Sequence, residues 1–223
     1  MRQFTARVTE ISTFSGQTLV RCAGAPGIAP APGQACLARA EVPAQPFLRL
    51  PLHVHPAPPA GFEFLLDPAH PHASLEPGAP LDLLGPLGRG FRLPPRAAHL
   101  LLAASSLSRL YPLLHQALAR RLAITLLWPE DAPLPALPPA VEIQRGTLTL
   151  ELTRWADVIA ADVPDPEPFA RVAHDLRPGQ PRGFVQALIE PAMPCGTGAC
   201  QACWVELDHG RALACRAGPV FDV

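Results

Sequence analysis

The chain has 223 residues, 48% of them apolar and 17% charged, a length and balance that suit one sizeable core or two modest ones and exclude bulk disorder. Its 18 basic residues are all Arg against 19 acidic ones, for a formal net charge of −1, so no electrostatic footprint for nucleic acid or anionic lipid is present. The 30 prolines, against an average usage of roughly 5%, are spread between apolar stretches and punctuate loops.

From Met1 to Arg7 polar and apolar residues alternate without the apolar stretch of a signal peptide. The longest apolar run, Leu100 to Leu114, is broken by Ser105, Ser106, Ser108 and Arg109, short of a membrane span. The expectation is a cytoplasmic protein with no membrane and no nucleic-acid partner.

Between Gln3 and Leu93, short alternating runs separated by Pro/Gly turns predict six strands: Phe4 to Ile11, Thr18 to Ala23, Ala35 to Glu41, Phe47 to Val54, Phe62 to Asp67 and Leu81 to Leu84. That pattern is the signature of a small antiparallel barrel, with Pro32-Gly33 and Pro77-Gly78 supplying its reversals. Beyond Ala97 the period changes. His99 to Ala104 reads as a buried strand and Ser108 to Arg121 as a helix; Ala123 to Trp128 and Ala140 to Gln144 are further strands, and Pro166 to Leu176 a second helix. Alternation of this kind implies a parallel sheet, and the five prolines of Pro129 to Pro139 an irregular surface loop.

The last segment, from about Phe184, holds Cys195-x4-Cys200-x2-Cys203, a strand from Trp204 to Leu207, a turn through Asp208-His209-Gly210 and a return strand reaching Cys215. This spacing is that of the three-cysteine loop of plant-type [2Fe–2S] sites, with Cys215 as the distal fourth ligand. Gly196, Gly198, Ala199 and Ala202 leave room for a backbone that wraps two irons and points N–H groups at sulfur. A structural zinc and a pair of disulfides are the alternatives; zinc ribbons come as paired C-x2-C knuckles, and a single one is present. Cys22 and Cys36 stand at no ligand spacing and read as buried free thiols. Trp204, next to Cys203, reads as a cover for the cluster or part of the hairpin core, with a partner contact as the competing use.

The run Cys195 to Cys203 and the ending Cys215-Arg-Ala-Gly-Pro-Val-Phe221 resemble the electron-transfer subunits of bacterial dihydroorotate dehydrogenase, iron–sulfur flavoproteins of the ferredoxin-reductase-like superfamily. Pro32-Gly33-Gln34 and Leu83 to Phe91 carry the likeness back along the chain. The resemblance implies a β-barrel plus α/β fold: an FAD-binding-type barrel (1–97), a reduced nucleotide-binding-like domain (98–183) and a C-terminal [2Fe–2S] cluster domain (184–223). It also implies a hetero-oligomeric partner, a flavoprotein catalytic subunit of dihydroorotate dehydrogenase, with single electrons passing through the cluster in pyrimidine biosynthesis.

The chain departs from the family at its nucleotide positions. The family's Arg-Pro-x-Ser flavin signature stands here as Leu50-Pro51-Leu52-His53, and Arg49, one residue away on a strand, points to the other face. The Gly-x-x-Thr element is missing from Asp67 to Ser74. Ala103-Ala104-Ser105-Ser106 replaces a glycine-rich turn, and Asp165 to Phe169 replaces Cys-Gly-Pro. NAD is therefore not expected, and FAD is left open, its family positions Leu50, Pro51 and His53 being degraded. His53-x-His55 and His70-x-His72 are candidate metal pairs whose plainer reading is solvated loop histidines. Gly85-x-x-Gly88-x-Gly90 reads as a structural turn. No nucleophilic or acid–base constellation is visible, so the expectation is an oxidoreductase subunit with no catalytic residues of its own. The alternatives are a degenerate non-catalytic adaptor and a zinc-stapled interaction module.

Overall fold

The computed structural model describes residues 1–24, 30–41, 47–57, 61–207 and 210–223. Seven strands come first: β1 (Arg2–Phe14), β2 (Gln17–Gly24), β3 (Ala35–Ala40), β4 (Leu50–Leu52), β5 (Val54–Ala57), β6 (Gly61–Leu66) and β7 (Pro80–Leu87), with a 3-10 turn at Pro71–Ser74. They form one antiparallel sheet in the order β4-β3-β7-β1-β2-β6-β5. β4 and β5 lie at opposite ends of that order yet are separated in the chain by His53 alone. The sheet must therefore curl until the backbone itself joins its two edges, which makes it a barrel. The single strand expected over Phe47 to Val54 is thus two strands broken at His53, and Phe47 lies outside them, 84% exposed. Val8, Val20, Phe62, Phe64, Leu81 and Leu83 fill the barrel, as period-2 alternation dictates.

The second layer system contains β8 (His99–Ala104), α1 (Tyr111–Ala119), β9 (Ala123–Trp128), β10 (Val141–Arg145), α2 (Leu150–Trp155), β11 (Val158–Asp162), α3 (Pro166–Leu176) and β12 (Val185–Leu188). The chain ends in β13 (Trp204–Leu207), β14 (Gly210–Leu213), α4 (Ala214–Ala217) and β15 (Val220–Asp222). The sheet order β10-β9-β8-β11-β12-β15 is parallel up to β12, and β15 closes it antiparallel. Leu100, Leu101 and Leu102 of β8 are all fully buried, because helices or barrel cover both faces of a central parallel strand. The fold is ferredoxin-reductase-like: antiparallel barrel, mixed parallel sheet and a C-terminal hairpin.

Three local differences from the sequence reading have simple causes. α1 starts at Tyr111 rather than Ser108, since the Ser108 hydroxyl turns to Asp67 Oδ2 at 3.2 Å instead of entering the helix. α2 appears where no helix was expected, capped by Thr149 Oγ1, which accepts from Leu152 N–H at 3.2 Å. The segment from Phe184 onward gives its first and last strands, β12 and β15, to the six-stranded sheet, so the cluster hairpin is inserted between two strands of that sheet. Among the described residues no helix is long and apolar enough to cross a membrane.

Candidate metal centre and the cleft beside it

The loop leaving β12 carries three thiols before β13 begins. Gly196, Gly198 and Gln201 have φ of 65°, 81° and 54°, so the backbone coils tightly between the cysteines. A Cβ at Gly196 would stand 2.9 Å from Leu37 Cδ1 and 3.0 Å from Leu87 Cδ1, so the loop lies directly on barrel strands β3 and β7. Positive φ and close approach together make this a glycine position.

The coil aims donors at sulfur. Thr197 N–H donates to Cys195 Sγ at 3.4 Å. The Thr197 side chain first, then the backbone and thiol of Cys200, hold the Cys195 thiol down to about 6. Cys203 and Cys215 are buried with their Sγ atoms 3.3 Å apart. Burial, then the neighbouring Cys203 thiol, pushes Cys215 up to about 11, against a pull from Gly198 N–H. The four thiols thus form two neighbouring pairs, Cys195 with Cys200 and Cys203 with Cys215. Among the described residues no set of three or more His, Cys, Asp or Glu side chains is gathered about a single-ion position.

Cys215 was expected on the return strand, but that strand ends at Leu213 and the cysteine sits in α4. The Ala214 N–H donates to Cys203 O at 2.8 Å and Gly218 N–H to Ala214 O at 3.1 Å, which winds the chain back under the loop. Met193, Val205, Ala214 and Phe221 pack around the inner thiol pair and against Ala35, Leu37 and Leu87 of the barrel. The outer pair faces solvent, with Cys200 exposed. Trp204 is 46% exposed, so it is not a core residue of the hairpin. Asp208 and His209 of the expected turn lie outside the described residues. Cys22 and Cys36 stand apart in the barrel core, where burial pushes both thiols up to about 12.

The flavin-position residues face a cleft between barrel and parallel sheet. Leu50 and Pro51 pair in register with Ala38 and Leu37 of β3 and are half-buried. His53, at the break between β4 and β5, is 5% exposed, and its Nε2 meets Glu190 Oε2 at 2.7 Å. Its Nδ1 has no hydrogen-bond partner among the described residues. Arg49, just before β4, pairs with Asp82 on β7.

The histidines expected in solvent are drawn inward. His72 is fully buried and His70 half-buried, their rings 5.3 Å apart, with His72 Nε2 3.3 Å from Ala38 O. The His55 ring lies against that of His115, ring centroids 4.5 Å apart. Of the three glycines at the barrel exit, Gly88 lies against the Gly218 carbonyl, which makes that turn a packing device.

Sequence reasoning missed the other cleft residues. Arg109 Nε donates to Asp162 Oδ2 at 2.9 Å, its terminal nitrogen takes the second oxygen, and Glu190 Oε1 lies 3.7 Å away. Burial alone would raise the Glu190 carboxyl, but His53 and Arg109 together outweigh it and hold it below the usual range. Burial lifts the Asp162 carboxyl, and Arg109 pulls it back.

Residues 190–223 match the family profile described as the iron-sulfur cluster binding domain of dihydroorotate dehydrogenase B. Over those residues the chain is similar to that cluster-binding domain. Within that family match lie the thiol loop, the hairpin, α4 and β15, together with Glu190 of the cleft. No curated protein sequence matches the chain.

Among solved structures, the NADH-dependent reduced ferredoxin–NADP oxidoreductase described for flavin-based electron bifurcation is 19% identical, with a TM-score of 0.73 over 97% of this chain and 87% of that one. The ferredoxin reductase of carbazole 1,9a-dioxygenase, in its FAD apo form, is 18% identical with a TM-score of 0.62, over 83% and 66%. The flavohem-like FAD/NAD binding domain of nitric oxide dioxygenase from Vibrio cholerae O1 biovar El Tor gives 14% and 0.59, over 82% and 97%. At these identities the likeness is one of fold.

Proposed function

We propose that Cys195, Cys200, Cys203 and Cys215 hold a [2Fe–2S] cluster and that the chain passes single electrons to or from a flavoprotein catalytic subunit of the dihydroorotate dehydrogenase type. The observation that carries this reading is the arrangement of the thiols in two adjacent pairs under a loop whose N–H groups point at sulfur. Two pairs suit two metal atoms, whereas a structural zinc takes one tetrahedral set. When bound, such a cluster supplies one-electron chemistry.

The chain's own residues do the rest. Thr197 and Gly198 offer backbone donors that stabilise anionic sulfur, and the apolar wall of Leu37, Leu87, Met193 and Phe221 keeps water from the inner pair. The outer pair and Trp204 give the exposed edge against which a partner's electron carrier would sit.

The test is a visible spectrum of anoxically purified protein before and after dithionite, with iron, acid-labile sulfide and zinc counted on the same sample. A chromophore bleached by dithionite, with iron and sulfide in equal amounts, is expected. Zinc without sulfide would replace this reading with the zinc-stapled module. For the partner, the oxidised chain is mixed with a dihydroorotate dehydrogenase catalytic subunit and dihydroorotate. Bleaching that needs both components is expected, and none would sink that pairing.

A further inference from the structure

Doubly wound sheets bind ligands where their strand order reverses, beyond the carboxyl ends of the strands. Here the reversal lies between β8 and β11, because the chain proceeds from β8 outward to β9 on one side and from β11 to β12 on the other. The cavity at that point, about 410 Å³, is lined by Asp67, Ser106, Ser108, Arg109, Asp162 and Glu190 among others. It continues on the barrel side into a space of about 380 Å³ bordered by Leu50, Leu52 and His53.

The carboxylates, the guanidinium and the Ser106 and Ser108 hydroxyls of this cavity are engaged with one another, while His53 Nδ1 on the barrel side has no partner among the described residues. Ser106 and Ser108 hydroxyls donate to Asp67 at 2.7 and 3.2 Å, and Gln17 Nε2 donates to the same carboxylate. Ser108 N–H, a donor that a phosphate could use at the entrance to α1, is taken by Ser106 Oγ at 3.2 Å. Arg109, the one guanidinium among the described residues lining either space, is gripped by Asp162 in a two-point pair and approached by Glu190. Among the described residues lining these spaces, an incoming pyrophosphate would meet three carboxylates and one guanidinium already paired, a net negative charge that opposes it.

The same ion pairs cross the boundary between the two sheets. His53 belongs to the barrel, Arg109 precedes α1, Asp162 ends β11 and Glu190 follows β12. The side chains of His53, Asp162 and Glu190 are 3%, 3% and 8% exposed.

We infer that this crevice is closed to FAD, NAD and other dinucleotides, and that the network His53–Glu190–Arg109–Asp162 stands in their place as a permanent bridge between barrel and parallel sheet. This inference is independent of the cluster. It implies that the chain exchanges its electrons at the exposed cluster edge and takes no hydride of its own.

The full-length, cluster-loaded chain is titrated by calorimetry with FAD, NADH and ADP, and flavin released from the freshly purified protein is counted. No binding and no stoichiometric flavin are expected; one FAD per chain, or saturable binding of ADP, overturns the closure. The bridge is read by a thermal-midpoint cycle of His53→Gln, Glu190→Gln and the double variant. Each single change is expected to lower the midpoint by roughly 5–15 °C, and the double by little more than the worse single. Additive losses, or none, overturn the bridge. Iron and sulfide from the same preparation keep the two readings apart: cluster with FAD defeats this inference alone, and neither cluster nor flavin defeats the electron-transfer reading alone.

Discussion

Four of the six cysteines show how the surroundings of a sulfur set its behaviour. Cys22 and Cys36 lie in the barrel core with thiols pushed up to about 12, while Cys195 and Cys200 sit at the surface in a coil of donors. Iodoacetamide at neutral pH is therefore expected to alkylate Cys195 and Cys200 of the metal-free folded chain within minutes and to spare Cys22 and Cys36 until denaturant is added, as read by peptide mass spectrometry. Equal labelling of all six would contradict the burial described. The glycines make a second residue-scale case. At Gly88, φ is 67° and an added methyl would overlap the Gly218 carbonyl, a backbone atom that cannot rotate away. Gly88→Ala should cost roughly 1–3 kcal/mol in urea unfolding and lower the iron content on reconstitution, because the displaced carbonyl lies three residues from Cys215. The thiol loop was legible in the sequence because its ligand spacing is local. Arg109, Asp162 and Glu190 were not, since each is an isolated charge whose partners lie 53 or more positions away or on another sheet.

Elements show where one-dimensional patterns succeed and where they stop. Long alternating or helical runs such as β1, β6 and α3 were readable because their periods persist over several residues. β11 was missed: its run Val158-Ile159-Ala160-Ala161 is half alanine, and its strand character comes from pairing with β8 and β12 on both sides. β15, three residues long, exists because β12 offers it an edge. The 3-10 turn at Pro71–Ser74 gives the pH behaviour of its element. Burial, and then His72 alongside, lowers the His70 imidazole from 6.5 to about 4, against Asp67 and Glu190, which favour its charge. His55, His72 and His115 are also lowered, burial being the largest cause for each. The unfolded chain therefore binds more protons than the folded one between about pH 6.5 and 4, so stability is full above that window and falls as pH drops through it. Urea midpoints measured at pH 7.5, 6 and 5 should decline in that order. His70→Gln, which removes the proton site and keeps an acceptor for the His72 N–H that His70 Nδ1 now takes, should flatten the decline.

At the scale of the molecule, the hairpin with its thiols is held from two directions. The barrel meets it through Leu37 and Leu87, and the parallel sheet holds both ends of its segment through β12 and β15. Among the described strands, β13 and β14 pair with each other alone and join neither large sheet. Stripping iron with a chelator under reducing conditions is expected to raise amide hydrogen exchange in 195–203 and in β13–β14 and to leave β8, β11 and β7 protected. Loss of protection across the barrel would instead mean that the metal supports the whole fold. Trp204→Ala should leave stability within ~0.5 kcal/mol, given its exposure, and slow electron exchange with a bound partner, which stopped-flow absorbance of the cluster would register.

The amino-acid sequence by itself determined the barrel, the alternation that follows it and the four-cysteine pattern, because strand period, turn chemistry and ligand spacing are all properties of neighbours along the chain. Tertiary structure alone decided that β4 and β5 are separate edges joined at His53, that Cys215 rides a helical turn, and that the cleft is crossed by ion pairs. The cleft ion pairs join segments 53 to 137 positions apart, a separation at which no pattern in the sequence carries the information.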